Sequence, residues 1–457
     1  MTPLEYVRAD REAALARLVE FLRIPSVSTV PERAADVGRA AEWAAERMRG
    51  VGLAGVRIDP TDRHPVVYGE WLGAPGAPTV LIYSHYDVQP PDPLELWTTP
   101  PFEPTVRGGE LFARGSSDDK GQGLIHLEAI NAYLKTEGRL PVNVKVMIEG
   151  EEEIGSPNLE GWIRGHQAEL AADVALVSDT SIVAPGQPSL VYGLRGLAYF
   201  EVEVTGPVRD LHSGQFGGAV ANPIHALAEM IARLHDAGGR ITIPGFYDRV
   251  RTLGDDERAA LASVPFDLDA FKRSTGQAGG WGEAEYSILE RLGARPSLDA
   301  NGIWGGWMGA GAKTVLPAKA SAKISMRLVP DQEPDEIERL FTQHFHDLAP
   351  KGVSVAVRSL HGGWPALVDR NLPAMRAGAV AYEQGFGRAP VFTREGGTIP
   401  VVATFQQVLG IPTVLMGFGL PDDNLHSPDE KFRVEHFHRG IETVISFFAA
   451  LPLEAAR

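Results

Sequence analysis

The sequence predicts an α/β protein with a mostly parallel sheet, interrupted by a smaller α+β unit. Short apolar runs such as TVLIY (79–83) alternate with helical segments such as 121–136, which is typical of a parallel sheet covered by helices. From about Arg195 the pattern changes, because RGLAYFEVEVTG alternates apolar with polar residues like a strand that has one solvated face. The change in pattern indicates a second kind of sheet.

The first part of the chain supplies amphipathic helices over 3–22 and 34–49 and then apolar strands, at 79–83, 142–148 and 173–177. Near the C-terminus, IPTVLMG and a helix over about 430–450 restore the α/β pattern. We therefore predict that 1–193 and 388–457 are two parts of one domain and that 194–387 is an insertion.

The insertion is predicted to run strand, helix, strand, helix, strand, which suggests a ferredoxin-like α+β unit. Asn222 can cap its first helix and Pro223 fits the first turn. SAKISMRLV (321–329) and VSVAVRSL (353–360) supply strands on either side of a helix over 334–348. The glycine-rich stretch 238–312 is expected to be irregular.

The composition excludes several classes of protein and site. Lysine and arginine number 43 against 59 acidic residues, and the formal charge of −16 disfavours nucleic acid and anionic membrane surfaces. Apolar runs fall short of the roughly 20 residues that cross a bilayer, and the charged N-terminal segment lacks a signal-peptide core. Without cysteine there are no thiolate nucleophiles or ligands. We expect a cytoplasmic protein.

Metal-type side chains follow four predicted strands. Ligands of open α/β sheets bind beyond the carboxyl ends of the strands. TVLIY leads into His85 and Asp87, VNVKVMI into three glutamates, DVALV into Asp179 and IPTVLMG into His426, while Asp118 precedes the helix at 121. Any one of them alone is more often a turn residue than a ligand.

The glutamate run 151–153 is harder to explain as a turn. Adjacent carboxylates repel one another, so the run is either a solvated loop or is neutralised by a cation. Two histidines with several carboxylates fit a hydrolytic site for two ions about 3.5–4 Å apart.

Nine motifs occur in order along the chain: SHYDVQP, ARGSSDDKG, EGEEEIGS, VSDT, DLHSGQFGG, MRLVPDQ, HGGWP, REGGTIP and NLHSPDE. Together they resemble the co-catalytic dizinc metallopeptidases, which include carnosinase, cytosolic non-specific dipeptidase, glutamate carboxypeptidase, aminoacylase and succinyl-diaminopimelate desuccinylase. DLHSGQFGG, HGGWP and REGGTIP are most similar to the dipeptidase branch. The resemblance implies a metallopeptidase domain with an inserted lid and dimerisation domain, and a homodimer that acts on small peptides.

The resemblance also implies two divalent metal ions, with zinc expected and manganese or cobalt as alternatives. His85, Asp118 and Asp179 would hold one ion, and Asp118, Glu153 and His426 would hold the other. Asp118 would then bridge the two.

The catalytic groups implied by the resemblance are Glu152, Asp87 and His212. Glu152 matches the general base, and Asp87 would orient His85. His212 matches an oxyanion donor that the partner subunit supplies. Glu151 is a third carboxylate where the family commonly has methionine or another neutral residue, and it is expected to tune the base.

Four further residues match the substrate contacts of the family. Arg327 would bind the terminal carboxylate of the substrate, because its planar guanidinium suits that group. The others are His361, Thr398 and Thr314, with Thr314 coming from the other subunit.

Other functions are less consistent with the sequence. The segment 306–314 lacks the glycine before lysine that a phosphate loop requires, and there is no GxSxG motif of a serine hydrolase. An N-acyl-amino-acid deacylase or desuccinylase with the same metal core stays open, and so does a catalytically silent binding module, which the retained Glu152 disfavours. The nine other histidines are expected at the surface, namely His64, His126, His166, His225, His235, His344, His346, His436 and His438.

Overall fold

We describe residues 1–456 of the protein from a computed structural model. The α-helices of these residues are α1 (Pro3–Ala9), α2 (Arg11–Leu22), α3 (Ala34–Val51), α4 (Lys120–Thr136), α5 (Leu159–Gly165), α6 (Gln167–Leu170), α7 (Ser213–Phe216), α8 (Pro223–Ala232), α9 (Asp255–Ala262), α10 (Leu268–Thr275), α11 (Ile288–Gly293), α12 (Pro334–Asp347), α13 (Pro373–Phe386), α14 (Pro400–Thr404) and α15 (Val434–Ala455).

The strands are β1 (Ala54–Asp59), β2 (Val66–Trp71), β3 (Thr79–His85), β4 (Thr105–Arg107), β5 (Glu110–Phe112), β6 (Asn143–Glu149), β7 (Val174–Val177), β8 (Ser189–Leu194), β9 (Gly196–Thr205), β10 (Leu211–His212), β11 (Ser297–Gly305), β12 (Val315–Leu316), β13 (Lys319–Leu328), β14 (Ser354–Gly363), β15 (Ala366–Leu367), β16 (Val391–Glu395), β17 (Thr413–Leu415) and β18 (Lys431–Arg433).

The large sheet has the order β1-β2-β6-β3-β7-β17-β8-β15, with β16 beside β8. Its central strands β6, β3, β7 and β17 pair in parallel, and antiparallel strands complete both sides. In β3, Val80 and Ile82 pack into one apolar cluster while Leu81 and Tyr83 pack into another on the opposite face. Burial on both faces explains why β3 is an unbroken apolar run. The predicted α/β fold is confirmed.

Helices cover both faces of the large sheet. Residues of α1 to α4, α13 and α15 belong to one apolar cluster, and residues of α5, α6 and α14 belong to the other. Residues 120–133 of α4 are all buried, including Glu128, which forms ion pairs with Arg17 and Arg47. The helix therefore presents no solvated face at its N-terminal end, where it meets the candidate site.

The small sheet has the order β11-β13-β9-β14 and is antiparallel throughout. Its elements follow the chain as β9-α8-β11-β13-α12-β14, which is the ferredoxin-like succession. Along β9, buried and partly exposed residues alternate, because α8 and α12 cover only one face. The other face is free to meet the large sheet's loops or a ligand.

Some expectations for individual segments are wrong. The stretch 238–312 is not irregular throughout, since it contains α9, α10, α11 and the edge strand β11. Residues 366–386, which we assigned to the insertion, contribute β15 to the large sheet and α13 to its core. The division into domains otherwise stays a prediction.

Four histidines expected at the surface are buried: His64, His126, His436 and His438. In the part of the chain that the structure describes, neither ring nitrogen of His126 has a hydrogen-bond partner, and burial lowers its pKa to about 3. His436 places Nδ1 3.1 Å from the carbonyl oxygen of Phe418. His126, His436 and His438 are buried by helix packing, and His64 lies in a loop held by Ser28 and Glu151. Spacing from strand ends reveals neither kind of contact. Among residues 1–456, none of the helices is both long and apolar enough to span a membrane.

Two helical glycines should respond oppositely to alanine. A Cβ on Gly121 would lie 1.9 Å from the backbone oxygen of Ser116, whereas a Cβ on Gly38 in α3 would meet no atom within 4 Å. We expect Gly121→Ala to lower the free energy of unfolding by about 1–3 kcal/mol through overpacking. Gly38→Ala should raise it by about 0.5–1 kcal/mol, because alanine loses less backbone entropy than glycine. Urea unfolding measures both, and equal shifts would contradict the close approach at Gly121.

Candidate metal centre

Five metal-type side chains converge at one edge of the large sheet. His85 is the last residue of β3, and Asp118 lies just before α4. Glu153 follows β6, Asp179 follows β7, and His426 lies in the loop after β17. The parallel strands β6, β3, β7 and β17 direct their carboxyl ends to the same edge, so residues up to 341 positions apart in the sequence become neighbours.

The five side chains form two groups that share Asp118. Potential ligand atoms of His85, Asp118 and Asp179 all lie within 4.8 Å of one another, and so do those of Asp118, Glu153 and His426. His85 Nε2 is 3.1 Å from Asp118 Oδ1, and His426 Nε2 is 2.9 Å from Asp118 Oδ2. His426 Nε2 also lies 3.3 Å from Glu153 Oε2. The two carboxylate oxygens of Asp118 therefore serve different groups.

Asp87 approaches His85 through both its backbone oxygen and its carboxylate. The closest partner of His85 Nδ1 is the backbone oxygen of Asp87 at 3.0 Å, while the Asp87 carboxylate is 3.4 Å away. A carbonyl oxygen only accepts, so Nδ1 carries the proton and Nε2 is left to face Asp118. The Asp87 carboxylate also accepts hydrogen bonds from the backbone N–H groups of Glu152 and Glu153, at 3.2 and 3.1 Å.

Burial and mutual repulsion act on the ionisation of the carboxylates. Burial, and then the charge of Asp118, raise the pKa of Glu153 and Asp179 well above the usual range. Burial raises the pKa of Glu152 to about 7; the charge of His85 opposes this rise, and those of Asp118 and Asp87 add to it. For Asp118 itself, burial is outweighed by hydrogen bonds from His426 and His85, which lower its pKa.

This donor set fits divalent cations. Imidazole nitrogen and carboxylate oxygen are suitable ligands for zinc, manganese and cobalt. The only basic side chains among the two groups are His85 and His426, which face three carboxylates. Cations bound there would compensate the buried negative charge, which is otherwise costly.

Glu430 is a supporting residue that the sequence analysis missed. It is fully buried and accepts hydrogen bonds from Arg114 Nη1 at 2.7 Å and from the backbone N–H groups of Gly115, Ser117 and Asp118 at 2.9, 3.0 and 3.1 Å. Because Glu430 follows His426 in the same loop, it fastens that loop to the Asp118 segment. Its place in the motif NLHSPDE was the available signal.

Gln89 was also missed, although it lies in the motif SHYDVQP. Its side-chain amide donates to Glu153 Oε2 at 2.8 Å and is 3.2 Å from the backbone oxygen of Glu153. Gln89 thus restrains a candidate ligand from the β3 side of the cluster.

The predicted oxyanion donor and one predicted substrate contact lie together on the insertion. His212 in β10 pairs with Val315 in β12, and Ser213 N donates to the backbone oxygen of Thr314 at 3.1 Å. Both His212 and Thr314 are exposed. Within residues 1–456, no hydrogen bond or ion pair joins either side chain to the five metal-type residues.

The other predicted substrate contacts lie where β13 and β14 flank β9. Arg327 Nη1 donates to Thr398 Oγ1 at 3.1 Å, and Thr398 Oγ1 donates to the backbone oxygen of Arg195 at 2.7 Å. His361 packs edge-on against the ring of Tyr199. No acidic side chain of the described residues forms an ion pair with Arg327, and burial lowers its pKa.

Comparison with known proteins identifies the family. The model for peptidase family M20/M25/M40 matches residues 81–450. The chain belongs to this family. It is 34% identical to the Cys-Gly metallodipeptidase dug1 of Schizosaccharomyces pombe, over 97% of this chain and 96% of that protein.

Solved structures agree with this assignment. Human carnosine dipeptidase 1 superposes with a TM-score of 0.83 at 31% identity, covering 99% of this chain and 98% of that chain. The M20 family metallo-carboxypeptidase Sso-CP2 from Sulfolobus solfataricus gives 0.85 at 33% identity, covering 96% and 99%. The resemblance to metallopeptidases is confirmed, and the chain is a metal-dependent hydrolase of this family.

Metal removal should destabilise the protein, because the buried carboxylates then repel without compensation. We expect zinc at about 100 times its dissociation constant to stabilise the chelator-stripped protein by about 2.7 kcal/mol per site. Asp118→Asn should abolish most of this gain, since Asp118 is shared, whereas Asp179→Asn should retain one ion per chain. Metal titration followed by thermal unfolding checks both.

The exposed Asp256 on α9 provides the matched control, as Asp256→Asn removes the same kind of charge far from the cluster. Two ions per chain retained in Asp118→Asn would contradict the shared position of Asp118.

Proposed function

We propose that the protein is a dipeptidase that hydrolyses the amide bond of dipeptides with two divalent metal ions. The observation that carries the proposal is the pair of three-residue donor groups sharing Asp118, with the half-buried Glu152 beside them. The relatives' names support it, because the relative from Schizosaccharomyces pombe is a Cys-Gly metallodipeptidase and the human structure is a carnosine dipeptidase.

We assign one ion to His85, Asp118 and Asp179 and the other to Asp118, Glu153 and His426. Zinc is the proposed metal, on the strength of the mixed nitrogen and oxygen donors. Two divalent cations there would lower the pKa of a water molecule and polarise the scissile carbonyl group.

Glu152 is the proposed general base and, later, the general acid. A carboxylate beside the two ions can take a proton from the attacking water and return it to the leaving amine. Its backbone N–H is held by Asp87, which also fixes the orientation of His85 through the backbone. The position of the base is thus coupled to the position of a ligand.

His212 is the proposed donor to the oxyanion. Its Nδ1 accepts a hydrogen bond from the backbone N–H of Gly214 at 3.0 Å, so in the neutral ring the proton is on Nε2. An exposed imidazole with its Nε2–H free suits donation to an oxygen that becomes negative during the reaction. Because His212 and Thr314 are adjacent and not bonded to the metal cluster of their own chain, we propose that each completes the site of a partner in a homodimer.

Arg327 and Thr398 are proposed to bind the terminal carboxylate of the substrate. The guanidinium has no acidic partner of its own among the described residues, and it lies within hydrogen-bonding reach of Thr398. His361 and the partner's Thr314 are proposed as further contacts. The small sheet carrying Arg327 would act as a lid, and a cytoplasmic location stays a prediction from the cysteine-free composition.

A panel of substrates tests the proposed activity directly. The zinc-loaded protein should release amine from free L-dipeptides such as Cys-Gly and β-Ala-His, and release little from N-acetyl or N-succinyl amino acids. Glu152→Gln serves as the blank, because removal of a general base costs about 100- to 10,000-fold in rate. Preferential release from the acylated compounds would assign the protein to the deacylases instead, and unchanged turnover in Glu152→Gln would contradict the mechanism.

Mixing two inactive variants tests whether His212 acts across the dimer. In a heterodimer of His212→Ala and Glu152→Gln, one site combines an intact Glu152 with an intact His212. Random exchange should therefore restore roughly a quarter of wild-type activity. The control mixes His212→Ala with the double variant His212→Ala/Glu152→Gln, which regenerates no complete site. If exchange is verified by mass and no activity returns, His212 does not act in trans.

A further inference from the structure

Of the three glutamates 151–153, Glu151 is the one that is neither the proposed base nor part of a metal group. Its side chain is only 2% exposed and extends toward the loop between β1 and β2 and toward the start of α5. Oε1 lies 2.5 Å from Thr61 Oγ1 and accepts from the backbone N–H of His64 at 2.8 Å. Asn158 Nδ2 donates to both oxygens, at 3.1 and 2.9 Å, and its backbone N–H is 3.3 Å from Oε2.

All of these donors are neutral, and no lysine, arginine or histidine of residues 1–456 forms an ion pair with Glu151. A buried carboxylate is costly unless hydrogen bonds replace its hydration, and bonds to a charged acceptor are stronger than those between neutral groups. Glu151 therefore joins three segments by hydrogen bonds. They are its own turn, the loop 61–64, and Asn158 directly before α5.

The turn that Glu151 begins carries the proposed base and a proposed ligand. Its backbone oxygen accepts from Ile154 N at 3.2 Å and Ser156 N at 2.8 Å, which closes the turn. The N–H groups of Glu152 and Glu153 meet the Asp87 carboxylate on the other side. The turn is consequently held from two directions, by Asp87 and by the Glu151 side chain.

Further hydrogen bonds connect the contacts of Glu151 to the segment that carries His85. The ring Nε2 of His64 lies 3.1 Å from the backbone oxygen of Ser28. Two residues earlier, the hydroxyl of Ser26 donates to the backbone oxygen of Tyr86 at 2.6 Å. Tyr86 directly follows His85, so a series of hydrogen bonds joins the Glu151 turn to the segment of the first ligand.

We propose that Glu151 is a positioning residue, whose buried carboxylate fixes the turn at 152–153 and so aligns the base and the second ion's ligand with the His85 side of the cluster. The inference rests on the proposed function, since it assigns Glu151 a part in the alignment of those two groups. Glu151 itself touches neither substrate nor metal.

Glu151→Gln tests this role. Glutamine keeps the shape of the side chain, but its NH2 group replaces one carboxylate oxygen and cannot accept the hydrogen bonds that the surrounding donors make. We expect kcat to fall about 10- to 100-fold, and zinc affinity of the stripped protein, measured by competition with a chromophoric chelator, to fall by a similar factor. KM should stay unchanged, since the carboxylate subsite is untouched. Asn158→Ala should show a part of both effects, and the double variant should lose less than the sum of the two, because both act through the same contact.

The exposed Glu160 on α5 is the matched control, and Glu160→Gln should leave kcat and zinc affinity at wild-type values. Wild-type kcat and zinc affinity in a folded Glu151→Gln protein, a loss confined to the thermal midpoint, or additive effects with Asn158→Ala would each overturn the proposal. If Glu151→Gln does not fold, Asn158→Ala decides by the same two readouts.

Glu152→Gln separates this inference from the proposed function. An inactive Glu152→Gln beside a normal Glu151→Gln would overturn the positioning role alone. An active Glu152→Gln would overturn both, because there would then be no base for Glu151 to align.

Discussion

The structure depends on one electrostatic constraint, the gathering of carboxylates around Asp118 at the carboxyl edge of the large sheet. His85 and His426 approach its two oxygens from opposite segments of the chain, and Glu153 and Asp179 complete the two groups. Burial makes this much negative charge unfavourable without cations, which the family assignment as a metallopeptidase independently requires. Parallel strands make this convergence possible, because the carboxyl end of each strand places one side chain at the same edge of the sheet.

Further buried carboxylates hold the backbone of the segments that carry this cluster. Asp87 accepts the N–H groups of Glu152 and Glu153, and Glu430 accepts those of Gly115, Ser117 and Asp118. Each one restrains a segment distant in sequence, so the geometry of the ligands is set by hydrogen bonds to charge rather than by apolar packing alone. Loss of such supporting contacts commonly lowers metal affinity by about 10- to 100-fold.

The two sheets divide the work that hydrolysis requires. The large sheet carries the proposed metal ligands and the proposed base, while the small sheet carries Arg327 on strand β13 and the adjoining β10 carries His212, both proposed to contact the substrate. Tight packing of α8 and α12 on a single face leaves the opposite face of the small sheet available. One chain thereby combines a candidate metal centre with a separate proposed binding surface.

The sequence by itself determined the α/β class and the strand ends that carry the metal-type residues, and its resemblance to the family implied the division of those residues into two groups. Apolar periodicity and residue type are local properties that can be seen in the sequence. The order of the motifs is sufficient to recognise a family that has this many of them. Only the tertiary structure decided that Glu151 turns away from its neighbours, that Glu430 reaches Arg114 across 316 positions, and that His126 is buried. Strand β11 was likewise missed, because pairing with β13 rather than its own pattern makes it a strand. The direction of a side chain and the burial of a helix face are set by long-range contacts, which no local pattern encodes.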